Sequence, residues 1–578
     1  MNLSRRHFTR SLLAATALAC PVAARLGAAP AQRPNIITIV LDDMGYSDIG
    51  CFGAEIRTPA IDSLARGGLR FAHFDTKAVC ASTRAALLTG RNSHTVNMPD
   101  VPDLTGVMGK DPMAAQLFRM PANAQTMAQA LKRHGYATWA VGKWHLIPMA
   151  ELGQGTPRDH WPLQRGFDSF YGFPRGWTDQ YRPEIVQGND YVKRDFAEGY
   201  HLSVDLADHA IDLIEHHKGK DRPFYMNLAF GTAHAPLQVP RDFSKPYDAI
   251  YAKGWDAIRE ERFARMKRMG IIPQNTLLPP RAERDRAWSS LSEDEKAVFA
   301  RYMAVYAGFI EHCDRQIGRV LDALRQSGQM DNTLIVLLTD NGAASEAGQK
   351  GEFDGLYKPN TLTPAQQRAR IDEIGTGKTQ AEYPRPWAYA GTTPLRRYKL
   401  WPYSGGTRTP MIVHWPAAHV PDAGAIRRQF VDVVDIAPTL LEAAGTSFDA
   451  SVDGVAQIPV AGRSFLPVLR NARAAGRQTQ YFELRGNRAI TDGPWRAIAM
   501  HDCGKPYAQD RWQLFNLEQD FSENTDLATR YPAQVERLKA LWDSEWQRHV
   551  GKPLPQPVAF TCGPRDLFDR APVSIQGD

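Results

Sequence analysis

Ile36-Ile37-Thr38-Ile39-Val40-Leu41 is an almost unbroken apolar run that stops abruptly at Asp42, Asp43 and Gly45. A strand covered on both faces needs no polar alternation, so the run predicts an interior parallel strand. Residues 136–141, 224–230, 334–338 and 411–415 repeat the pattern. Between them lie segments with helical spacing: 58–67, with Pro59, Ile61 and Leu64, then 126–134, and long stretches within 285–327. Another begins at Cys80. Arg84 to Leu88 are good helix formers, Ser82 or Thr83 offers a cap and Gly90 a stop, which sets Cys80 just ahead of a helix N-terminus. Strands alternating with helices predict an α/β fold, a large mostly parallel sheet sandwiched by helices. After residue 470 the pattern shortens. Tyr481-Phe482, 496–500 and 513–517 read as antiparallel strands and 531–550 as a closing helix, a smaller C-terminal α+β domain over 471–578.

Composition changes this picture at the N-terminus. The 578 residues carry a formal charge of +6, but Arg5, Arg6, Arg10 and Arg25 lie in residues 1–31 with no acid, so the remainder is close to neutral. No basic block marks a nucleic-acid partner. Ser4-Arg5-Arg6-His7-Phe8, an apolar run over 12–24 and Ala29-Pro30-Ala31 read as a twin-arginine signal with a small-residue cleavage site. The expectation is export through the twin-arginine translocase to the periplasm. The run is too short to span a bilayer comfortably, and Ala17-Leu18-Ala19-Cys20 makes a poor lipoprotein processing site. Six cysteines are few for the length; Cys503 and Cys562 could pair in an oxidising compartment.

The candidate chemistry sits where strands end, which is where open α/β sheets place their functional crevice. Asp42-Asp43 and Asp340-Asn341 each follow a strand, and four such hard oxygen ligands suit Ca²⁺ or Mg²⁺. Each pair alone also reads as a turn or a helix cap. Both members of a pair can converge only if the strand has already stopped, since neighbours within a strand point apart. Lys143 and His145 flank Trp144 as another strand runs out, on one side if extended geometry persists. His234 follows the 224–230 strand, and Lys399 stands beside Arg396 and Arg397. A helix N-terminus favours an anion, Arg84 adds a fixed cation, and a thiol at position 80 would be acidic there.

Taken together these segments resemble the type I sulfatases of the alkaline-phosphatase superfamily, most closely the bacterial arylsulfatases. The resemblance runs from about Arg33 to Leu527. It is carried by Arg33-Pro34-Asn35 to Gly45, Cys80-Ala81-Ser82-Thr83-Arg84 with Leu88-Thr89-Gly90-Arg91, Gly142-Lys143-Trp144-His145, Ala233-His234-Ala235-Pro236, Thr339-Asp340-Asn341-Gly342, the 405–410 segment and the 512–517 segment. It implies a catalytic sulfatase domain over 32–470, and oxidation of Cys80 to formylglycine by a formylglycine-generating enzyme. One hydroxyl of the hydrated aldehyde attacks sulfur and expels the alcohol. The other loses its proton, and collapse to aldehyde releases sulfate. The resemblance further implies Ca²⁺, or Mg²⁺ or another divalent ion, on Asp42, Asp43, Asp340, Asn341 and residue 80. Arg84 would orient the diol, Lys143 and Lys399 bind sulfate oxygens, His145 act as base and His234 protonate the leaving oxygen.

Two positions depart from the family pattern. Ser82 stands where Pro or sometimes Ala follows the cysteine by two, and Ser404 stands where a Glu usually precedes the paired glycines. A phosphonate monoester or phosphodiester hydrolase, or a non-catalytic anion-binding relative, would keep similar residues. Met98, Met108, Trp177, Tyr181, Phe353, Tyr357 and Trp387 lie in irregular stretches expected to rim the site. An apolar rim would suit a small-molecule sulfate ester with a hydrophobic or aromatic leaving group; packing within the loops would serve equally.

Overall fold

The computed structural model describes residues 33–554 apart from 107–116, 283, 357–359 and 503. The expected export signal with Cys20, the expected pairing of Cys503 with Cys562, and Met108 and Tyr357 therefore lie outside the described residues.

The strand Asn35–Leu41 is the middle of a ten-stranded sheet, and its two neighbours, Thr333–Thr339 and Phe224–Ala229, both run parallel to it. Ala137–Lys143 and Ser169–Phe173 extend the parallel part on one side, ahead of two short antiparallel strands. On the other side Met411–His414 pairs antiparallel to Thr333–Thr339, so the sheet is mixed and mostly parallel. The apolar run works as its pattern implies: Ile37, Ile39 and Leu41 enter one core, Ile36 and Val40 the other. Helices Pro59–Gly67, Leu202–His217 and Glu293–Gln326 cover the first face. The last runs 34 residues from a capping box of Ser292 and Glu295. Cys80–Thr89, Met127–Arg133 and Ile436–Ala443 cover the second.

Beyond residue 470 four strands, Thr479–Leu484, Asn487–Asp492, Trp495–Ala499 and Trp512–Asn516, form an antiparallel meander. One face packs Tyr481, Ile490 and Leu514 against Leu538, Trp542 and Trp546 of the helix Pro532–His549. The other packs Phe482, Ile498 and Phe515 against Tyr403 and Phe430 of the preceding chain. At its end, Leu484 touches the group formed by Ala78, Val79, Cys80 and Leu400. The antiparallel sheet thus reaches the Cys80 turn.

Candidate active site

Strand endings build the site. Asp42 and Asp43 lie just past Leu41, and Asp43 takes a left-handed backbone (φ 59°), which lets consecutive side chains reach one place. Asp340 and Asn341 lie just past Thr339. Gly342 is obligatory there, because a Cβ on it would come within 1.9 Å of the Gly405 carbonyl oxygen. Lys143 ends its strand, and His145 follows with φ 59°; the extended geometry expected after Lys143 does not persist, yet both side chains reach the site. Two non-glycine residues in left-handed backbone at one site is the kind of local strain, about 1–3 kcal/mol each, that functional centres hold.

Oxygens of Asp42, Asp43 and Asp340 lie within 4.8 Å of one another, all buried. Three cations surround them. Lys143 Nζ is 2.6 Å from Asp42 Oδ2, Lys399 Nζ 2.8 Å from Asp43 Oδ2, and Arg84 donates to Asp340 Oδ2 through Nε and a terminal nitrogen at 2.9 and 2.7 Å. Asn341 Nδ2 donates to Asp43 Oδ1 at 2.6 Å. Asp42 Oδ1 and Asn341 Oδ1, both buried, accept no hydrogen bond. Burial, together with Asp340 and Asp43, pushes the Asp42 carboxyl well above its ordinary range despite Lys143. Asp43 goes the other way: burial raises it, but Lys399, His234 and Lys143 hold it below its ordinary value. Crowded carboxylates with two orphaned oxygens fit a hard divalent cation, which would satisfy both oxygens and remove the repulsion. Asp42, Asp43, Asp340 and Asn341 are the residues that would hold it.

Cys80 opens its helix as the first residue rather than preceding it, and the cap is Val79, without a side-chain hydrogen bond. The expected caps are engaged elsewhere: Thr83 Oγ1 accepts from Lys77 N at 2.9 Å, and Ser82 Oγ donates to the Met98 carbonyl at 2.9 Å. The thiol is not acidic. Burial raises it above its usual value, against Lys143 and Lys399. His145 Nδ1 lies 3.2 Å from Sγ. His234 Nδ1 donates to the Ala235 carbonyl at 2.7 Å and turns Nε2 toward Asp43 Oδ2 at 3.5 Å. Burial lowers His234 to about 3, with Asp43 opposing.

All ten residues singled out from the sequence reach this one buried cluster, Lys399 included. Sequence reasoning missed Asp103, which meets His145 Nε2 at 2.6 Å, and Glu346, which pairs with Lys399 at 3.0 Å. Asp103 sits in the short 3-10 helix Pro102–Gly106 and Glu346 in a turn, neither of which leaves a periodic signal in the sequence. Among its described residues the expected rim is mostly core: Met98, Phe353 and Trp387 are fully buried among apolar neighbours, and Trp177 and Tyr181 are partly exposed. At the second departure, Ser404 gives both N–H (2.9 Å) and Oγ (2.7 Å) to the Glu523 carboxylate, so a carboxylate from the C-terminal part occupies that neighbourhood.

Buried cations and carboxylates gathered at the carboxyl edge of a mostly parallel sheet, with an all-oxygen corner that fits a divalent cation, define a site suited to charged esters. The comparisons narrow it. The Sulfatase family model matches residues 34–446, and the model for the N-sulphoglucosamine sulphohydrolase C-terminal region matches 397–543. The arylsulfatase of Klebsiella aerogenes is 32% identical over 82% of this chain and 99% of its own. Human N-acetylgalactosamine-6-sulfatase is 26% identical over 94% and 82%. The structure of Ps i-CgsB, solved with a neocarrahexaose, superposes with a TM-score of 0.59 at 24% identity, covering 90% of this chain and 93% of that one. The chain belongs to the sulfatase family and is a sulfuric ester hydrolase.

Proposed function

We propose that this sulfatase acts in the arylsulfatase manner, through a formylglycine made from Cys80 and a divalent cation, with Ca²⁺ the best fit to an all-oxygen corner. The observation that carries the reading is the orphaned pair Asp42 Oδ1 and Asn341 Oδ1, in a buried cluster that also holds Cys80, Arg84, Lys143, His145, His234 and Lys399. A hydrated aldehyde at position 80 supplies both a hydroxyl nucleophile and a route to release sulfate, and the cation would neutralise sulfate oxygens. The chain's own groups do the rest. Lys143 and Lys399 hold sulfate oxygens from buried positions, where little solvent screens them. His145 Nδ1 faces position 80 and takes its proton. His234 Nε2 faces the same cluster, and an incoming sulfate anion favours its protonated form, the form that can protonate a leaving alcohol. The backbone of the Cys80 helix start adds unpaired N–H groups. Export by the twin-arginine route, drawn from residues 1–31, belongs to the same proposal and is tested by fractionating cells that express Arg5→Lys/Arg6→Lys.

The test is chemical. Tryptic peptides spanning position 80 should weigh less than the cysteine form by loss of sulfur and gain of oxygen. Turnover of a chromogenic aryl sulfate should vanish in Cys80→Ala. Active protein carrying only unmodified Cys80 would overturn the mechanism, and a large preference for paired phosphonate or phosphodiester substrates would move the chain to phosphorus esters.

A further inference from the structure

His145 shows one ring nitrogen to Cys80 and the other to Asp103: Nδ1 is 3.2 Å from Sγ and Nε2 is 2.6 Å from Asp103 Oδ2. An ionised carboxylate has no proton to give, so the proton in the shorter contact sits on Nε2. A neutral ring then carries a bare Nδ1 aimed at position 80. Its other side is filled by backbone. A Cβ on Gly176 would come within 2.7 Å of Cε1, so only glycine leaves the ring its place. Desolvation raises the Asp103 carboxyl, but His145 beside it holds it below its ordinary value and part of the side chain stays in solvent, so it is ionised at neutral pH.

The loop bearing Asp103 is fastened from a distant part of the chain. Three residues earlier, Asp100 accepts two hydrogen bonds from Arg485, at 2.7 and 3.2 Å. Arg485 lies in the turn between Thr479–Leu484 and Asn487–Asp492, and Glu483, two residues before it, meets His94 at 2.6 Å. A bidentate Arg–carboxylate pair fixes direction as well as distance. The C-terminal sheet thereby sets where Asp103 stands.

We propose that Asp103 is a positioning residue that fixes the orientation and tautomer of His145, and that the Arg485–Asp100 pair holds it there. The inference rests on the sulfate-ester reading of the site and adds the group that prepares its base. In the step it serves, Nδ1 takes the proton of the free hydroxyl at position 80. The freed O–H electron pair becomes the second bond of the aldehyde carbonyl, and the C–O pair departs with sulfate. Leaving-alcohol release, which precedes this step, does not need Asp103.

Asp103→Ala should lower kcat for an aryl sulfate about 10- to 100-fold, the usual cost of removing a group that orients a ligating or catalytic histidine, with KM falling alongside it and kcat/KM nearly unchanged, because only the step after alcohol release slows. Rapid mixing should show a burst of phenol before slow turnover, with a sulfated position-80 peptide accumulating in the mass spectrum. Asp103→Glu should restore part of the rate, and Arg485→Gln should act in the same direction more weakly. A readout free of turnover is the imidazole nitrogen resonances of ¹⁵N-histidine-labelled Cys80→Ala protein, assigned with His145→Gln. The His145 ring should be protonated at Nε2, and the added change Asp103→Ala should abolish that preference. Unchanged ring signals and an unchanged kcat in Asp103→Ala would overturn the proposal. Wild-type protein inactive on every sulfate ester would refute the reading beneath it, while the nitrogen resonances would still decide whether Asp103 sets the tautomer.

Discussion

Two clusters of buried charge lie side by side and behave differently. Behind the site, Arg262 donates through one terminal nitrogen to Asp48 Oδ1 at 2.5 Å, and through Nε and the other to Glu55 at 3.0 and 2.8 Å. Tyr306 and Gly45 N complete Asp48, and Tyr251 and Arg265 complete Glu55. Every oxygen and every guanidinium nitrogen there has a partner. A few residues earlier, Asp42 keeps one oxygen with none, as does Asn341, although three cations stand nearby. Burial is equal, so burial does not mark function. What separates the two is saturation: the Arg262 network is complete as folded, whereas the Asp42 corner is complete only with something added.

The comparison breaks or holds on two substitutions. Asp42→Asn should cost on the order of 10³-fold in aryl sulfate turnover, since a lost cation forfeits several kcal/mol of charge stabilisation. In chelator its melting temperature should fall little, because the folded state already disfavours the Asp42 charge. Arg262→Met should do the reverse. It leaves Asp48 buried without its cation and Glu55 with Arg265 alone, a loss of about 3–5 kcal/mol in stability by denaturant titration, while folded molecules keep their kcat. Similar melting losses in the two variants would dissolve the distinction.

How far the sequence discloses this difference depends on the residue. Asp42, Asp43, Asp340 and Asn341 are legible because each follows an apolar run whose end marks a sheet edge. Lys399 is not legible by spacing, since its placement depends on a path through left-handed Arg397 and Leu400 and the close approach of Gly405 to the Arg397 carbonyl. The family resemblance supplies what local pattern withholds. Asp103 escapes both, because it stands in a short 3-10 helix without periodic signal, three residues after Asp100, whose partner Arg485 is 385 positions away. The helix start differs from the sequence pattern for a related reason: Ser82 and Thr83 have capping chemistry, but the Met98 carbonyl and Lys77 N–H claim them in the fold. Composition likewise names aromatic residues without saying which way they face, hence Trp387 in the core rather than at a rim.

Adding a divalent ion sharpens the comparison from the other direction. If the corner is completed by a cation, Ca²⁺ at a hundred times its Kd should raise stability by about 2.7 kcal/mol, read as a melting shift that saturates. Arg262→Met should keep the shift and Asp42→Asn should lose it. A smaller effect attends Ser404→Ala, which deprives a saturated carboxylate of one partner of three. Glu523 keeps Ser404 N and Arg496 at 3.2 Å, so the expected loss is about 1–3 kcal/mol with turnover intact.

Asp314 is an intermediate case, and the smallest effect concerns it. Its two oxygens accept from Ala60 N and Ile61 N at 3.0 and 2.8 Å at the start of the Pro59–Gly67 helix. It is saturated in hydrogen bonds but has no cation, and burial lifts it to about 7, with Asp62 and Glu311 adding to the rise and the two amides opposing it. The unfolded carboxyl titrates near 3.8, so between these values the folded state binds the extra proton. Stability from this group is therefore full at acid pH and lost as pH rises through the folded value. Relative to Asp314→Asn, the wild-type protein should lose stability from pH 5 to pH 7, at most about 1.4 kcal/mol per unit and less because the helix terminus favours the anion. Parallel curves in urea at the two pH values would mean that two amide donors saturate a buried carboxylate as fully as Arg262 does, and would move the dividing line from charge to hydrogen bonding alone.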